Sequence, residues 1–515
     1  KGCWDWIESK VRARTALWWY AHNAAYDATV VETWTELPQR GWEIGRAILD
    51  SPPFLVYWRR GTSSLRMFDT LNLWKVSLKR VGESVGLAKL PMPSRDEPKA
   101  VWDRYCRRDV AIIMEACLVW WRWLKAHDLG GAAPTMASQA FTAFRHRFLK
   151  HTILIDGNTS ALALARDAYH GGRVEAFRIG TFSGPFYLLD VRSEYPAVMQ
   201  RESYPTVLKG VYGGVPLDEL AQLIERYAVV ADVEISTNEP AYPFRDSSPL
   251  LFPVGRFRAA LTSGELRYAL KHSHLVRCRQ CALYERAPIF ADYVAELFGL
   301  RLDAIASGDV FAAWVLRMLM NLLYGKFGQR GRRSRKIGPA PDLSARVWDE
   351  IDAETGERFR MRQLAGVIEA HWPEGESAYS HPAVAAHVTA YGRLMLWGLI
   401  CQAGREGVLY CDTDSLLVAE GNLGPLRALL AADGLGSLHL ELVVQNATIW
   451  GPKDYRFDQL SRTKGVRANA KWLDANTVEQ DHWLGLKSLL RRGDLSTPIV
   501  RRTVKHLRRV YEKGV

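Results

Sequence analysis

The sequence predicts a chain of mixed α/β (α+β) class folded into three or four domains, and three observations predict it. At 515 residues the chain is several times the ~150 residues of a typical domain, enough to bury more than one core. Hydrophobic residues at 48%, charged residues at 24% and aromatics at 11% exclude collagen-like, fibrous and disordered classes. Short apolar runs that end in polar turns alternate with stretches of helical periodicity.

In chain order, Leu17-Trp18-Trp19-Tyr20 reads as a buried strand, followed by a polar turn and a helix-like segment opened by Tyr26-Asp27. Between Trp102 and Leu124 the residues Val110, Ile113, Met114, Cys117, Leu118 and Trp121 recur at helical spacing, which predicts a long helix. Leu129-Gly130-Gly131-Ala132-Ala133-Pro134 breaks that pattern as a linker, and a domain is expected to end near residue 150. Phe186-Tyr187-Leu188-Leu189 reads as a buried strand that delivers Asp190 at its end, and residues 299–327 are helical by pattern. The basic run from Arg330 to Lys336 precedes an alternating stretch, Phe359 to Ile368, that predicts a hairpin. Val408-Leu409-Tyr410 and Leu416-Leu417-Val418 flank Cys411-Asp412-Thr413-Asp414-Ser415 as strand, acidic turn, strand.

Composition narrows the function classes. Lys plus Arg 68 against Asp plus Glu 56 gives a net charge of +12, a field suited to a polyanion such as nucleic acid. Seven cysteines are too few and too scattered for a secreted disulfide framework and point to a reducing compartment. Cys278 and Cys281 form a lone CxxC with no second pair nearby, so no zinc is expected there. No uninterrupted apolar run approaches the ~18 residues of a membrane span, so no membrane partner is expected. The start at Lys1-Gly2-Cys3 has no signal-peptide core and reads as the interior of a longer gene product.

The strongest local signal is Tyr410 to Ser415. Two carboxylates at the tip of an apolar hairpin repel by roughly 4 kcal/mol at about 4 Å and an effective dielectric near 20. A cation relieves that repulsion. With Asp190 at the end of another strand, the site can hold two hard metal ions that prefer carboxylate oxygens and leave positions open for phosphates. A solvated Asp-rich turn is the alternative reading of the hexapeptide alone.

Three stretches, in order along the chain, resemble the family B DNA polymerases, and within them the protein-primed branch of phages and linear plasmids. Asp190-Val191-Arg192-Ser193-Glu194-Tyr195-Pro196 is similar to the first palm motif, Asp-x-x-Ser-Leu-Tyr-Pro, with Glu194 where Leu is usual. Arg317 to Gly325 resembles the fingers motif Lys-x-x-x-Asn-Ser-x-Tyr-Gly, with Arg317 for Lys and Leu322 for Ser, and Tyr410 to Ser415 matches the third motif without exception.

The resemblance implies a right-hand polymerase (palm, fingers, thumb) with an N-terminal RNase H-like exonuclease domain. It implies that Asp190, Asp412 and Asp414 are catalytic, that Asp190, Val191 and Asp412 hold two Mg²⁺ (or Mn²⁺) ions, and that Asp414 has a secondary electrostatic role. Tyr195 would lie beneath the sugar and exclude a 2′-hydroxyl. Arg317, Asn321 and Tyr324, on one helix face, would bind the incoming dNTP, with Arg301 adding a phosphate contact. Tyr169, Gly171 and Gly172 of a Tyr-x-Gly-Gly segment, Lys453 and Tyr455 of a Lys-x-Tyr motif, and Lys464 before the thumb would contact DNA.

In the amino-terminal part His22-Asn23-Ala24-Ala25-Tyr26-Asp27 resembles the second exonuclease motif, and Tyr105-Cys106-Arg107-Arg108-Asp109 the third. The resemblance places Asn23 and Tyr26 near single-stranded DNA, Asp27 and Asp109 at the reaction, Tyr105 beside Asp109, and Lys89 as an auxiliary. The first motif, Asp-x-Glu, is not in the sequence, and Asp5 and Glu8 are not substitutes. Either the front is missing or proofreading has been abandoned.

The implied divisions are 1–150 exonuclease-like with its front missing, 151–200 palm start, 201–290 an insertion contacting a terminal protein, and 291–330 fingers. Next come 331–376 a second insertion hairpin, 377–457 palm, and 458–515 thumb. The expected activity is DNA-directed DNA polymerisation in replication of a phage or linear plasmid genome. The alternatives are a 3′-5′ exonuclease, a catalytically silent DNA-binding protein or, within the class, a primer-independent start. Expected partners are a DNA primer-template, dNTPs and a terminal protein, with the chain a monomer. The expected location is the cytoplasm of a bacterial or host cell, or the mitochondrion for an organellar plasmid.

Overall fold

A computed structural model describes residues 2–50, 52–245, 250–331, 333–372, 375–430, 434–467, 469–493, 495 and 500–509. Arg332 of the basic run and the last residues of the expected thumb lie outside the described residues. The chain divides into two compact units, one of Lys1–Arg147, Arg330–Ser377 and Glu479–Val504, the other of Phe148–Gln329, Ala378–Val478 and Lys505–Val515.

The first unit is built on a four-stranded sheet ordered Ala16–Ala21, Ser63–Asp69, Phe54–Arg60, Glu43–Leu49, in which the first pair is parallel and the others antiparallel. Its core gathers Trp4, Trp34, Trp42 and Trp58 with Leu364 and Leu486. The strand expected around Leu17–Tyr20 forms, but it is only half-buried rather than buried. The helix expected from Trp102 to Leu124 runs from Lys99 to Ala126, and its buried stripe is Ile112, Ala116, Cys117, Trp120 and Leu124. Val110 and Met114 of the expected face are instead 64% and 58% exposed, because small Ala116 lets the helix settle on a neighbouring stripe. The Phe359–Ile368 hairpin forms as the middle pair, Arg358–Leu364 with Val367–His371, of a four-stranded antiparallel sheet.

The second unit holds two antiparallel sheets. Seven strands run in the order Leu460–Thr463, Asp454–Phe457, Leu438–Gly451, Gly180–Val191, Ser415–Ala419, Val408–Asp412, Val174–Ala176. Four more run Tyr204–Gly213, Leu275–Ala287, Ala228–Thr237, Gly255–Thr262. Leu189, Val191 and Leu416 of the first share a core with Val229, Val233 and Leu283 of the second. The region read as helical from 299 to 327 is two helices, Ala291–Ala306 and Val310–Phe327, separated by a turn at Ser307–Asp309, with the Asp309 side chain accepting from the Ala312 N–H at 2.9 Å.

Two helices, Val310–Phe327 and Pro382–Ala403, are long and apolar enough to cross a membrane by length and composition. The second is buried for most of its length. Several of its polar side chains have buried partners, although Arg393 Nε has none. Arg393 pairs with Glu265 at 2.7 Å, the two side chains 2% and 1% exposed. Arg393 also donates to the carbonyls of His170 and Gly171 at 3.1 and 3.0 Å.

On the same helix His387 Nδ1 donates to the Ala383 carbonyl at 2.7 Å while Nε2 faces the Ser263 hydroxyl at 3.2 Å. Burial, with Arg267 and His381 as lesser causes, pushes its pKa down to about 4. A depressed value means that the folded state resists the proton. The contribution is complete above the unfolded value near 6.5 and is lost as pH falls toward 4, about 3 kcal/mol from this group. Urea unfolding of the second unit is therefore expected to weaken by about that amount between pH 7 and pH 4, and His387→Gln to flatten the dependence.

Candidate active site

The site is set by strand register. Asp190 at the end of Gly180–Val191 lies opposite Ser415, so the acidic hairpin and the first acid meet at one sheet end. Thr413 takes a left-handed backbone (φ 64°) at the hairpin tip. That tip is clamped from both sides: the Thr413 N–H donates to the Arg173 carbonyl and the Val191 N–H to the Asp414 carbonyl, both at 2.7 Å.

Burial, then Asp414 and Glu441, push the Asp190 carboxyl up to about 7. Asp414 is raised by burial and by Asp412. His439 occupies the register position across from Asp190 on the other side, its Nδ1 3.8 Å from the Asp190 carboxylate. Asp412 is held differently: Lys453 Nζ pairs with its Oδ1 at 3.1 Å, while its buried Oδ2 has no hydrogen-bond partner. Asp414 presses its charge on Asp190, and Asp412 carries the lysine, because the turn at Thr413 sends consecutive acids toward different neighbours.

A divalent cation fits these groups. Hard carboxylate oxygens crowd together with one buried oxygen unpaired. Among the described residues no group of three His, Cys, Asp or Glu side chains lies close enough together to hold a metal ion by itself.

Facing the acids is a cluster of guanidiniums. Arg317 and Arg192 both act electrostatically on Asp190. Arg301, on the companion helix, is lowered from the usual arginine range by burial and then by Arg317 and Arg192, and its Nε has no hydrogen-bond partner. Asn321 donates to the Arg317 carbonyl at 2.9 Å and is solvent-facing. The Tyr324 ring lies 4.9 Å from that of Tyr195.

The remaining DNA-contact candidates are more scattered. Tyr169 is largely buried, and its ring fills the space where Gly328 lacks a side chain. Gly171 lends its carbonyl to Arg393. Gly172 lies against Thr413 and the Tyr195 hydroxyl, where a side chain would have no room. Lys453 bridges the site, its N–H donating to the Tyr410 hydroxyl at 2.9 Å. Tyr455 is 9% exposed and stacks on Phe457 at 4.2 Å. Lys464 is exposed beyond the strand Leu460–Thr463.

In the first unit the expected exonuclease residues fall in two groups, one around Asp109 and one around Asp69. Lys89 contacts Asp109 directly and lies 4.2 Å over the Tyr105 ring. Burial and then Asp69 push Asp27 up to about 6. His22 is held between Thr70 and the Val76 carbonyl, each at 2.9 Å. Asn23 supplies its N–H to Asp69 from a left-handed backbone (φ 77°), and Tyr26 is exposed. Asp69, missed in the sequence, spends its carboxylate on the N–H groups of Asn23, Ala24 and Leu71. Asp5 and Glu8 are ion-paired with Arg40 at 2.6 and 3.1 Å.

Other contributors also escaped the sequence reading. Arg192 stands two residues from Asp190 within the same motif, whereas His439 and Glu441 reach Asp190 through pairing of strands distant in the chain; the alternation His439-Leu440-Glu441 was the available signal.

Residues 100–338 match the profile of the family described as DNA polymerase type B, organellar and viral. The chain is 24% identical over 342 residues to a probable DNA polymerase of Neurospora intermedia, covering 62% of the chain and 34% of the relative. It is 26% identical over 299 residues to the DNA-directed DNA polymerase of Enterobacteria phage PRD1, covering 56% of the chain and 49% of the relative. The matches thus span a third to a half of those relatives' own length. Its fold is that of phi29 DNA polymerase, a right hand with an exonuclease domain. The structure of that enzyme complexed with primer-template DNA superimposes at a TM-score of 0.71 with 15% identity, covering 98% of this chain and 93% of the other.

Proposed function

We propose that the second unit is a DNA-directed DNA polymerase that adds dNTPs to a primer 3′-hydroxyl in replication of a phage or linear plasmid genome. The observation that carries this reading is the meeting of two half-buried acids, Asp190 and Asp414, at one sheet end within the field of Arg317, with Arg192 and Arg301 close to that arginine. One set suits divalent cations and the other a triphosphate, and the pairing suits phosphoryl transfer.

Asp190 and Asp414 would hold Mg²⁺, with Asp412 and Lys453 bracing the hairpin from the other side. The ions supply activation of the primer hydroxyl and neutralisation of charge on the leaving pyrophosphate. Arg317 and Arg301 orient the triphosphate, and their fixed positive charge stabilises the negative charge that develops there. Tyr195 forms the floor under the sugar.

Arg317→Ala is expected to raise the KM for dNTP by about 10- to 100-fold, the value of one or two charge-assisted hydrogen bonds, and to affect kcat less. Steady-state incorporation at varied dNTP checks it. Arg317→Lys is expected to recover part of the loss, since a point charge replaces a fork.

A 3′-5′ exonuclease in the first unit is the second reading, favoured by the cluster of Lys89, Tyr105 and Asp109 and by Asp27 raised beside Asp69. A terminal protein as primer remains part of the proposal, with 201–290 as the candidate contact segment. The site of action would follow the genome, cytoplasmic or mitochondrial. One experiment separates the readings: labelled dATP, Mg²⁺ and single-stranded template, with and without an end-labelled oligonucleotide. Lengthening of the oligonucleotide supports the polymerase, label incorporated without it supports a primer-independent start, and shortening alone supports the nuclease.

A further inference from the structure

Tyr195 is enclosed by glycine backbones from two distant segments. A Cβ added at Gly392, on the buried helix Pro382–Ala403, would lie 2.9 Å from Tyr195 Cε1 and 3.0 Å from Glu194 Oε2. A Cβ at Gly172 would lie 2.9 Å from the Tyr195 hydroxyl and 2.7 Å from Thr413. Real Cβ atoms do not approach other groups so closely, and cores packed at crystal density give way only by moving a side chain. The Tyr324 ring blocks a further side at 4.9 Å.

Glu194 occupies the remaining space behind the ring. It is 1% exposed, and neither of its carboxyl oxygens has a hydrogen-bond partner. A longer side chain at 194 is thus matched by the absence of one at 392.

We propose that Gly392 is a specificity-determining residue: with Glu194 it forms the recess that seats the Tyr195 ring and so fixes how closely the ring approaches the sugar of the incoming nucleotide. This inference rests on the polymerase reading above. A methyl at 392 leaves the ring one direction to yield, away from the helix and into the cleft. The 2′ position then loses room first.

The test is a cycle of Gly392→Ala and Tyr195→Ala, measured as kcat/KM for dCTP and CTP opposite a template G. Gly392→Ala alone is expected to raise the KM for dCTP by about tenfold and to sharpen discrimination against CTP by at least about threefold. In the Tyr195→Ala background the same substitution is expected to change both by less than twofold, because the ring it displaces is gone. A general weakening of the helix would act in both backgrounds and would overturn the inference, as would unchanged or relaxed discrimination in the single variant. If Gly392→Ala does not fold but the double variant does, ring and methyl compete for one space, as proposed; failure of both to fold places the obstacle elsewhere and refutes it. Absence of incorporation by the unsubstituted chain overturns the polymerase reading and this inference with it, whereas an active chain indifferent to Gly392→Ala overturns this inference alone.

Discussion

Asp414→Asn and Asp190→Asn are each expected to lower the rate of primer extension by at least about a thousandfold, a loss near 4 kcal/mol in transition-state stabilisation, while primer-template affinity stays within about threefold. The two acids lie at one sheet end, where burial and neighbouring acids raise both, Asp414 and Glu441 acting on Asp190 and Asp412 and Glu441 on Asp414. Each amide substitution removes a charge that the site needs only when a cation and a triphosphate are bound. Asp412→Asn is expected to cost at least tenfold less, because that carboxylate is already paired with Lys453 and acts through the shape of the hairpin. Single-turnover extension with parallel DNA-binding isotherms checks the ranking. A larger loss at 412 than at 414 would restore the division of roles that the motif resemblance alone implied.

Removing one partner of the Arg393–Glu265 pair is expected to destabilise the second unit by about 3–5 kcal/mol, the range for stranding a buried charge. Both side chains are almost fully enclosed. Glu265 also accepts from the Thr262 N–H and hydroxyl at 3.1 and 3.2 Å, closing a capping box at the start of its own helix. Glu265→Ala would therefore leave a guanidinium unpaired and a helix start uncapped. The double variant Glu265→Leu, Arg393→Met is expected to recover much of the loss, since well-packed apolar groups can replace a buried ion pair. Denaturant unfolding monitored on the single and double variants would show this as strong non-additivity. Because Arg393 also holds the carbonyls of His170 and Gly171, the singles are further expected to loosen the segment that leads to Gly172.

What the sequence showed clearly was whatever a short window contains. The hairpin around Asp412-Thr413-Asp414, the strand delivering Asp190 and the two helices bearing Arg301 and Arg317 all have local patterns, and they formed where those patterns lie. The helix Pro382–Ala403 did not announce itself. It is apolar on nearly every side, so it has no periodic face to detect, although it carries Gly392 and Arg393. The burial face of Lys99–Ala126 was misjudged because Val110 and Met114 sit at helical spacing as well as the residues that are buried. His439, Glu441 and Asp69 joined their sites through register between strands far apart in the chain, and no window of sequence holds that information. The same applies to the roles of Asp412 and Asp414: the motif names both acids, but the turn at Thr413 and the reach of Lys453 decide which one meets Asp190.

The most direct measurement is single-nucleotide incorporation by the purified chain on a primer-template whose next base is known, with Mg²⁺ present or chelated, beside the Asp414→Asn variant. The proposed site predicts that the primer grows by one residue only with the complementary dNTP and only with the divalent ion, and that the variant does not extend it. A primer left unextended by the unsubstituted chain, or extended equally well by Asp414→Asn, would contradict it.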